Sequence, residues 1–272
     1  MKNINLINKI YNLPLSNYLT GFIKKKLLKN NDIIFIPTKL KRLPRNNHPI
    51  QNSIGLQENI IENYNKYNKL SFNTFPKIKL LLKKKFKTGE SFNFLDFGGD
   101  KLDFYLDLSK EFKNINYFLM NLPEVNKIID TFKKKYDYQN LTILNNLKEI
   151  QKYQYDFVYC GSTLQYLNDY NNFILKILPI TKKNIMFTAT HFFSDNDRFD
   201  HIVAKQLNFL PKLYYLYFFN LDNFSKKLKE YHFNIEFNCK NESHDIKYDS
   251  FKYLNIKNVK YTDILFSKKK VK

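Results

Sequence analysis

Residues 91–99 read Ser91-Phe92-Asn93-Phe94-Leu95-Asp96-Phe97-Gly98-Gly99. A short apolar run ends in an acid, and two glycines follow. This is the pattern of a buried strand entering a tight turn. Downstream, strands and helices alternate. Helical spacing covers 102–112, and INYFLMN at 115–121 reads as a strand. The stretch 123–136 opens with Pro123 at a first helical position and Glu124 in the first turn. LTILNN, YDFVYCGS and NIMFTATHFF read as further strands, with a helix over 163–178 between the last two. LDNFSKKLKEY is a helix, and FNIEFNCK and YTDILFSKK close the chain as strands. Such alternation implies βαβ units and a mostly parallel, doubly wound α/β sheet.

Upstream, 1–30 reads as a basic amphipathic helical arm. Residues 31–55, with three prolines, read as an irregular connection. Apolar spacing over 56–87 predicts two helices broken near Pro76. The expected division is an N-terminal helical region at 1–88 and an α/β domain at 89–272.

The chain has 272 residues and 45 Lys+Arg against 25 Asp+Glu, a net charge of +20. Such a charge invites a nucleic-acid reading. Yet Arg42, Arg45 and Arg198 are its only arginines, and Asn, Ile, Phe and Tyr are abundant while Trp is absent. That joint bias fits an AT-rich codon choice, whereas specific nucleic-acid readers favour the arginine fork. A nucleic-acid partner is therefore not expected. Hydrophobic residues are 43% and charged residues 26%, which argues against disorder. No apolar run approaches a membrane span, and no secretory leader is evident. Cys160 and Cys239 form no disulfide framework, so a cytoplasmic location is expected. The N-terminal arm could touch an anionic membrane surface, although packing on its own domain is the stronger expectation.

In a doubly wound sheet, ligands bind at the carboxyl ends of the strands. Asp96 and the glycines at 98 and 99 stand at such an end. The nicotinamide fingerprint GxGxxG fails, because Asp100 and Asp103 stand where glycines belong. Two roles remain open for Asp96: a ligand carboxylate, or a cap of the following helix.

The stretch resembles motif I of the class I S-adenosylmethionine-dependent methyltransferases. That resemblance implies a Rossmann-like sheet of the seven-stranded methyltransferase type, last strand antiparallel. It also implies S-adenosylmethionine as cofactor, with Asp96, Gly98 and Gly99 beside it. A second element, Phe118 to Val125, resembles the D-L-P-x-V segment of many O-methyltransferases, with Asn121 replacing the acid. Asparagine can still bond a ribose hydroxyl, without charge. Asn121 and Leu122 thus join the expected cofactor residues; Glu124 is either a substitute acid or a first-turn residue favoured by the helix dipole. A third element, Tyr155 to Leu167, resembles the superfamily's fourth strand and places Gly161 and Ser162 at its ligand-facing end.

Over about 90–270 the chain also resembles a methyltransferase family found among bacterial surface-polysaccharide genes. Gln206, Pro211 and Tyr214 fall where that family carries its Gln and Pro-Tyr segment. Two departures stand out. Asp100 and Leu102 occupy positions usually small, where a side chain is expected to crowd the cofactor or push the helix off the sheet.

After the fifth strand comes HFFSDNDRFDH, with His191, Asp195, Asp197, Asp200 and His201. His191 has the most suitable ordinary pKa for a general base, the alternative being a solvated polar loop. The spacing lacks the Gly and Glu of a calcium loop, so no metal is expected. The cluster Tyr214, Tyr215, Tyr217, Phe218 and Phe219 suits an acceptor pocket or core packing equally. The expected function is methyl transfer from S-adenosylmethionine to a hydroxyl of a sugar or small molecule. The alternatives are a non-catalytic binding protein of the same fold in polysaccharide assembly, and an RNA methyltransferase.

Overall fold

The computed structural model describes residues 33–44, 53–67, 76–194, 198–207, 214–242, 246–256 and 258–269. The expected arm at 1–30, Asp195, Asp197 and Pro211 lie outside them. The described residues open with β1 (Ile33–Pro37), α1 (Ile54–Tyr67) and α2 (Pro76–Lys85). There follow β2 (Phe92–Phe97), α3 (Leu102–Glu111), β3 (Ile115–Met120), α4 (Pro123–Tyr136) and β4 (Leu141–Leu144). Next are α5 (Leu147–Ile150), β5 (Tyr155–Gly161), a 3-10 turn (Leu164–Tyr166) and α6 (Tyr170–Ile177). Then come β6 (Thr181–Ser194), β7 (His201–Gln206), β8 (Tyr214–Asn220) and α7 (Leu221–Lys229). The chain ends with β9 (Phe233–Lys240), β10 (Ile246–Lys247), a second 3-10 turn (Asp249–Leu254) and β11 (Asn258–Lys268).

Seven strands lie in the order β4-β3-β2-β5-β6-β11-β9. The first five are parallel, and β11 runs antiparallel to both β6 and β9. This is the expected sheet with its last strand antiparallel. Period-two alternation sorts its side chains. Leu95, Val158 and Phe187 enter one core cluster, while their neighbours Phe94, Phe157 and Met186 enter the other. Strands covered on both faces read as near-continuous apolar runs, which is why they were legible.

The sheet then continues where the sequence predicts a loop. At 14 residues, β6 outruns β5, whose pairing ends at Gly161 opposite Thr188. Beyond that point β8 takes over, with Phe192 opposite Phe219. The path runs on through β7 and β1 to β10. The changeover is marked by a bulge. Ala189 has φ +52°, and the β6–β11 register shifts between Thr262 and Ile264. The Asp263 carboxylate accepts from Ala189 N–H at 3.0 Å and from Asn241 Nδ2 at 2.6 Å, and Lys77 Nζ lies 3.3 Å away.

Three expectations change. Residues 33–37 are a strand paired with β7, not part of an irregular connection. His191 to Ser194 belong to β6, and His201 opens β7, so the expected polar loop is shorter. The helix expected over 163–178 is a 3-10 turn followed by α6, which starts where the Asp169 side chain accepts from Asn172 N–H. Among the described residues, no helix is long and apolar enough to cross a membrane.

Candidate functional site

A cleft of about 560 Å³ opens at the carboxyl ends of β2, β3 and β5. The end of β2 and the turn after it contribute Phe97, Gly98 and Asp100; the end of β3 and the residues after it contribute Met120, Asn121 and Leu122. Gly161, Ser162 and Thr163 come from the end of β5, and Asn168, Asp169 and Asn172 from the start of α6. Of the seven expected cofactor residues, Gly98, Asn121, Leu122, Gly161 and Ser162 line this cleft; Asp96 and Gly99 do not.

Both glycines are required sterically. Gly98 has φ +90°, and a Cβ there would sit 2.0 Å from Thr163 Oγ1. Thr163 is fixed in turn, donating to Gly161 O at 2.8 Å. A Cβ on Gly99 would sit 2.0 Å from Asp96 Oδ2. Asp96 is buried behind the turn and accepts from the Tyr117 hydroxyl at 2.6 Å. It caps no helix: α3 begins after Lys101 without a side-chain cap. Burial pushes its carboxyl up to about 7; the Tyr117 bond opposes this, while Asp100 and Asp103 add to it. Asp100 is raised too, mainly by burial.

Asn121 stands at the place expected for the ribose group, but its amide serves the turn. Its Nδ2 donates to Gly98 O at 3.0 Å and to Gly99 O at 2.9 Å. The expected crowding by Leu102 does not occur. Its side chain is fully buried in the core against the sheet. The helix is held by Gln57 of α1, a buried residue that sequence reading missed. Gln57 Nε2 donates to Asp100 O at 2.8 Å, and its Oε1 accepts from Leu102 N–H at 3.0 Å.

At the end of β5, Ser162 has φ +51°, as left-handed as Ala189 on β6. Gln165 ties the two together, donating from Nε2 to Ser162 Oγ at 3.2 Å and to Ala189 O at 2.9 Å. Tyr166 lines the cleft and donates to Gln206 Oε1 at 2.7 Å, joining the cleft wall to β7.

His191 is not in the cleft wall. It is 3% exposed and packs against Phe35, Phe218 and Tyr261, with Nδ1 3.1 Å from the Tyr248 hydroxyl. Burial drives its pKa down to about 3, which favours the neutral ring. Asp200 accepts from Asn223 Nδ2 at 2.8 Å, and His201 lies between the Tyr170 hydroxyl and Lys41 O, both structural roles. Tyr217, Phe218 and Phe219 are core residues, and none of the 214–219 aromatics lines the cleft.

No known family matches the sequence, and no curated protein does either. Solved structures do match. The N-terminal domain of EvdMO1 with S-adenosylhomocysteine bound superposes with a TM-score of 0.50 at 10% identity, covering 81% of this chain and 98% of that one. The fold is that of the class I methyltransferases. The same domain in the presence of S-adenosylhomocysteine and D-fucose also scores 0.50 at 10% identity, covering 79% and 95%. An S-adenosylmethionine-dependent methyltransferase from Clostridium acetobutylicum ATCC 824 scores 0.48 at 11% identity, covering 79% and 99%. At these identities the likeness concerns the fold.

Proposed function

We propose that this chain is an S-adenosylmethionine-dependent methyltransferase acting on a hydroxyl of a sugar or another small polar acceptor. The carrying observation is the placement of Gly98. It brings bare backbone to the wall of a cleft at the carboxyl ends of three parallel strands, the ligand position of this architecture. The volume suits a small-molecule site, for which about 300–1,000 Å³ is usual. The residues fit the cofactor: Leu102 points away into the core, and the cleft offers both apolar and hydrogen-bonding walls.

S-adenosylmethionine, when bound, supplies an electrophilic methyl group on a sulfonium. Gly98, Asn121, Leu122, Gly161 and Ser162 would shape its side of the cleft. Asn168, Asp169 and Asn172 give the remaining wall a carboxamide and carboxylate character that suits a polyhydroxylated acceptor. With His191 sequestered, Asp100 and Asp169 are the carboxylates that line the cleft and can take the hydroxyl proton. The resemblance over 90–270 supports polysaccharide biosynthesis as the setting, and the free cysteines Cys160 and Cys239 support the cytoplasm. On this reading, residues 1–88 form the N-terminal part of the protein and 89–272 the catalytic domain.

Calorimetry with S-adenosylhomocysteine tests the reading, followed by mass-spectrometric transfer assays on nucleotide sugars and small hydroxyl compounds. The absence of both binding heat and a thermal shift at millimolar ligand would sink it. The sequestration of His191 favours a second reading, a binding protein of the same fold without turnover. Methyl transfer to any acceptor eliminates that one.

A further inference from the structure

Three consecutive carbonyls of the turn after β2 are all held from outside by side-chain amides. Asn121 Nδ2 takes Gly98 O and Gly99 O, and Gln57 Nε2 takes Asp100 O. Each amide also accepts: Asn121 Oδ1 from Leu122 N–H at 2.7 Å, and Gln57 Oε1 from Leu102 N–H at 3.0 Å. Asn121 is itself steadied, its N–H donating to Asn126 Oδ1 at 2.9 Å while Asn126 Nδ2 donates to Leu144 O at 2.8 Å. Only a carboxamide can donate two hydrogen bonds and accept a third from one planar group. An ionised carboxylate only accepts, so in place of Asn121 it would face two carbonyl oxygens without a proton to share.

We propose that Asn121 and Gln57 are positioning residues that set the ligand-facing turn, so that position 121 must be an amide here. Aspartate at 121 recreates the D-L-P segment and yet impairs the cleft. This rests on the methyltransferase reading for its ligand, S-adenosylhomocysteine. It extends that reading to α1, since Gln57 makes the turn depend on a helix that precedes β2 and does not itself line the cleft.

The test is calorimetric titration of S-adenosylhomocysteine into wild type, Asn121→Asp, Gln57→Leu and Ile61→Ala, each below its melting temperature. Ile61 is a buried core residue of the same helix, and its apolar side chain takes no part in the clamp's hydrogen bonds. Asn121→Asp is expected to weaken binding by about tenfold or more near neutral pH. Relative to wild type, the loss should shrink as pH falls, because a protonated carboxyl regains one donor; an effect of shape alone would not follow pH. Gln57→Leu should lose affinity comparably, while Ile61→Ala lowers the melting temperature and keeps its affinity. Wild-type affinity in Asn121→Asp, or equal affinities in Gln57→Leu and Ile61→Ala, would overturn the proposal. If wild type itself binds no S-adenosylhomocysteine, the methyltransferase reading fails separately. The clamp then stands or falls on amide exchange at Leu102, expected to be faster in Gln57→Leu than in Ile61→Ala.

Discussion

Gly98 and Thr163 meet where the ends of β2 and β5 face each other, so closely that a Cβ on Gly98 would lie 2.0 Å from Thr163 Oγ1. The contact joins the two walls of the cleft. The threonine cannot retreat cheaply, because its hydroxyl is bonded to Gly161 O. Gly98→Ala therefore carries two penalties, the clash and a φ of +90° that L residues rarely adopt. A loss of about 2 kcal/mol or more in urea unfolding is expected. Binding of S-adenosylhomocysteine should be abolished. Unchanged binding would mean that this turn does not form the ligand wall.

Asp96 gives a pH signature. Its folded-state pKa is pushed up to about 7 from an ordinary 3.8, so the folded protein holds a proton that the unfolded chain releases. Below the ordinary value both states are protonated and there is no cost. The cost grows as pH rises toward 7 and is constant above it, with a slope of at most about 1.4 kcal/mol per pH unit. Asp96→Asn keeps an acceptor for the Tyr117 hydroxyl and removes the titration. Unfolding free energies measured between pH 5 and pH 8 should show the variant gaining on wild type as pH rises. Parallel pH profiles would contradict this assignment.

The seven-stranded sheet and five cleft residues were legible because they rest on local signals: apolar runs, a terminal acid and glycines. What escaped rests on distant partners. β1 sits among prolines and pairs with β7 some 170 positions away, as in Phe35 opposite Gln206, and nothing local announces that. Its Pro37 ends the strand, where a missing N–H is tolerated. Gln57 is one polar residue in an amphipathic helix, and its role appears only once α1 is seen to pack on α3. For His191 a signal did exist. It alternates at period two with Phe193, which marks it as facing the same buried cluster as that phenylalanine.

His191 yields the opposite pH signature. Burial depresses its pKa to about 3 from 6.5, so the folded state refuses a proton that the unfolded chain accepts. Stability is complete above the ordinary histidine range and is lost as pH falls from there toward 3. His191→Phe keeps an aromatic ring in the cluster and gives up the bond with Tyr248, at a cost of about 1 kcal/mol at neutral pH. Thermal melts at decreasing pH should show a shallower acid decline than wild type. Methyl-transfer rates should stay close to wild type, and a collapse of turnover with intact folding would restore His191 as a catalytic group.

The hydrogen bond from Tyr166 to Gln206 is where the added strands touch the cleft. Gln206 is 6% exposed, so removing the tyrosine hydroxyl takes away a donor in a nearly dry setting. Tyr166→Phe should cost about 1–3 kcal/mol of stability, the range for a buried acceptor that loses its partner. The functional consequence should be selective. The bond ties the cleft wall to β7, which carries none of the expected cofactor residues, so the Kd for S-adenosylhomocysteine should hold while the KM for the acceptor rises. Measuring both constants on one preparation separates the cases. Equal losses in cofactor and acceptor binding would show that the β7–β8 layer supports the whole cleft. A change confined to the acceptor would make it a wall of the acceptor site.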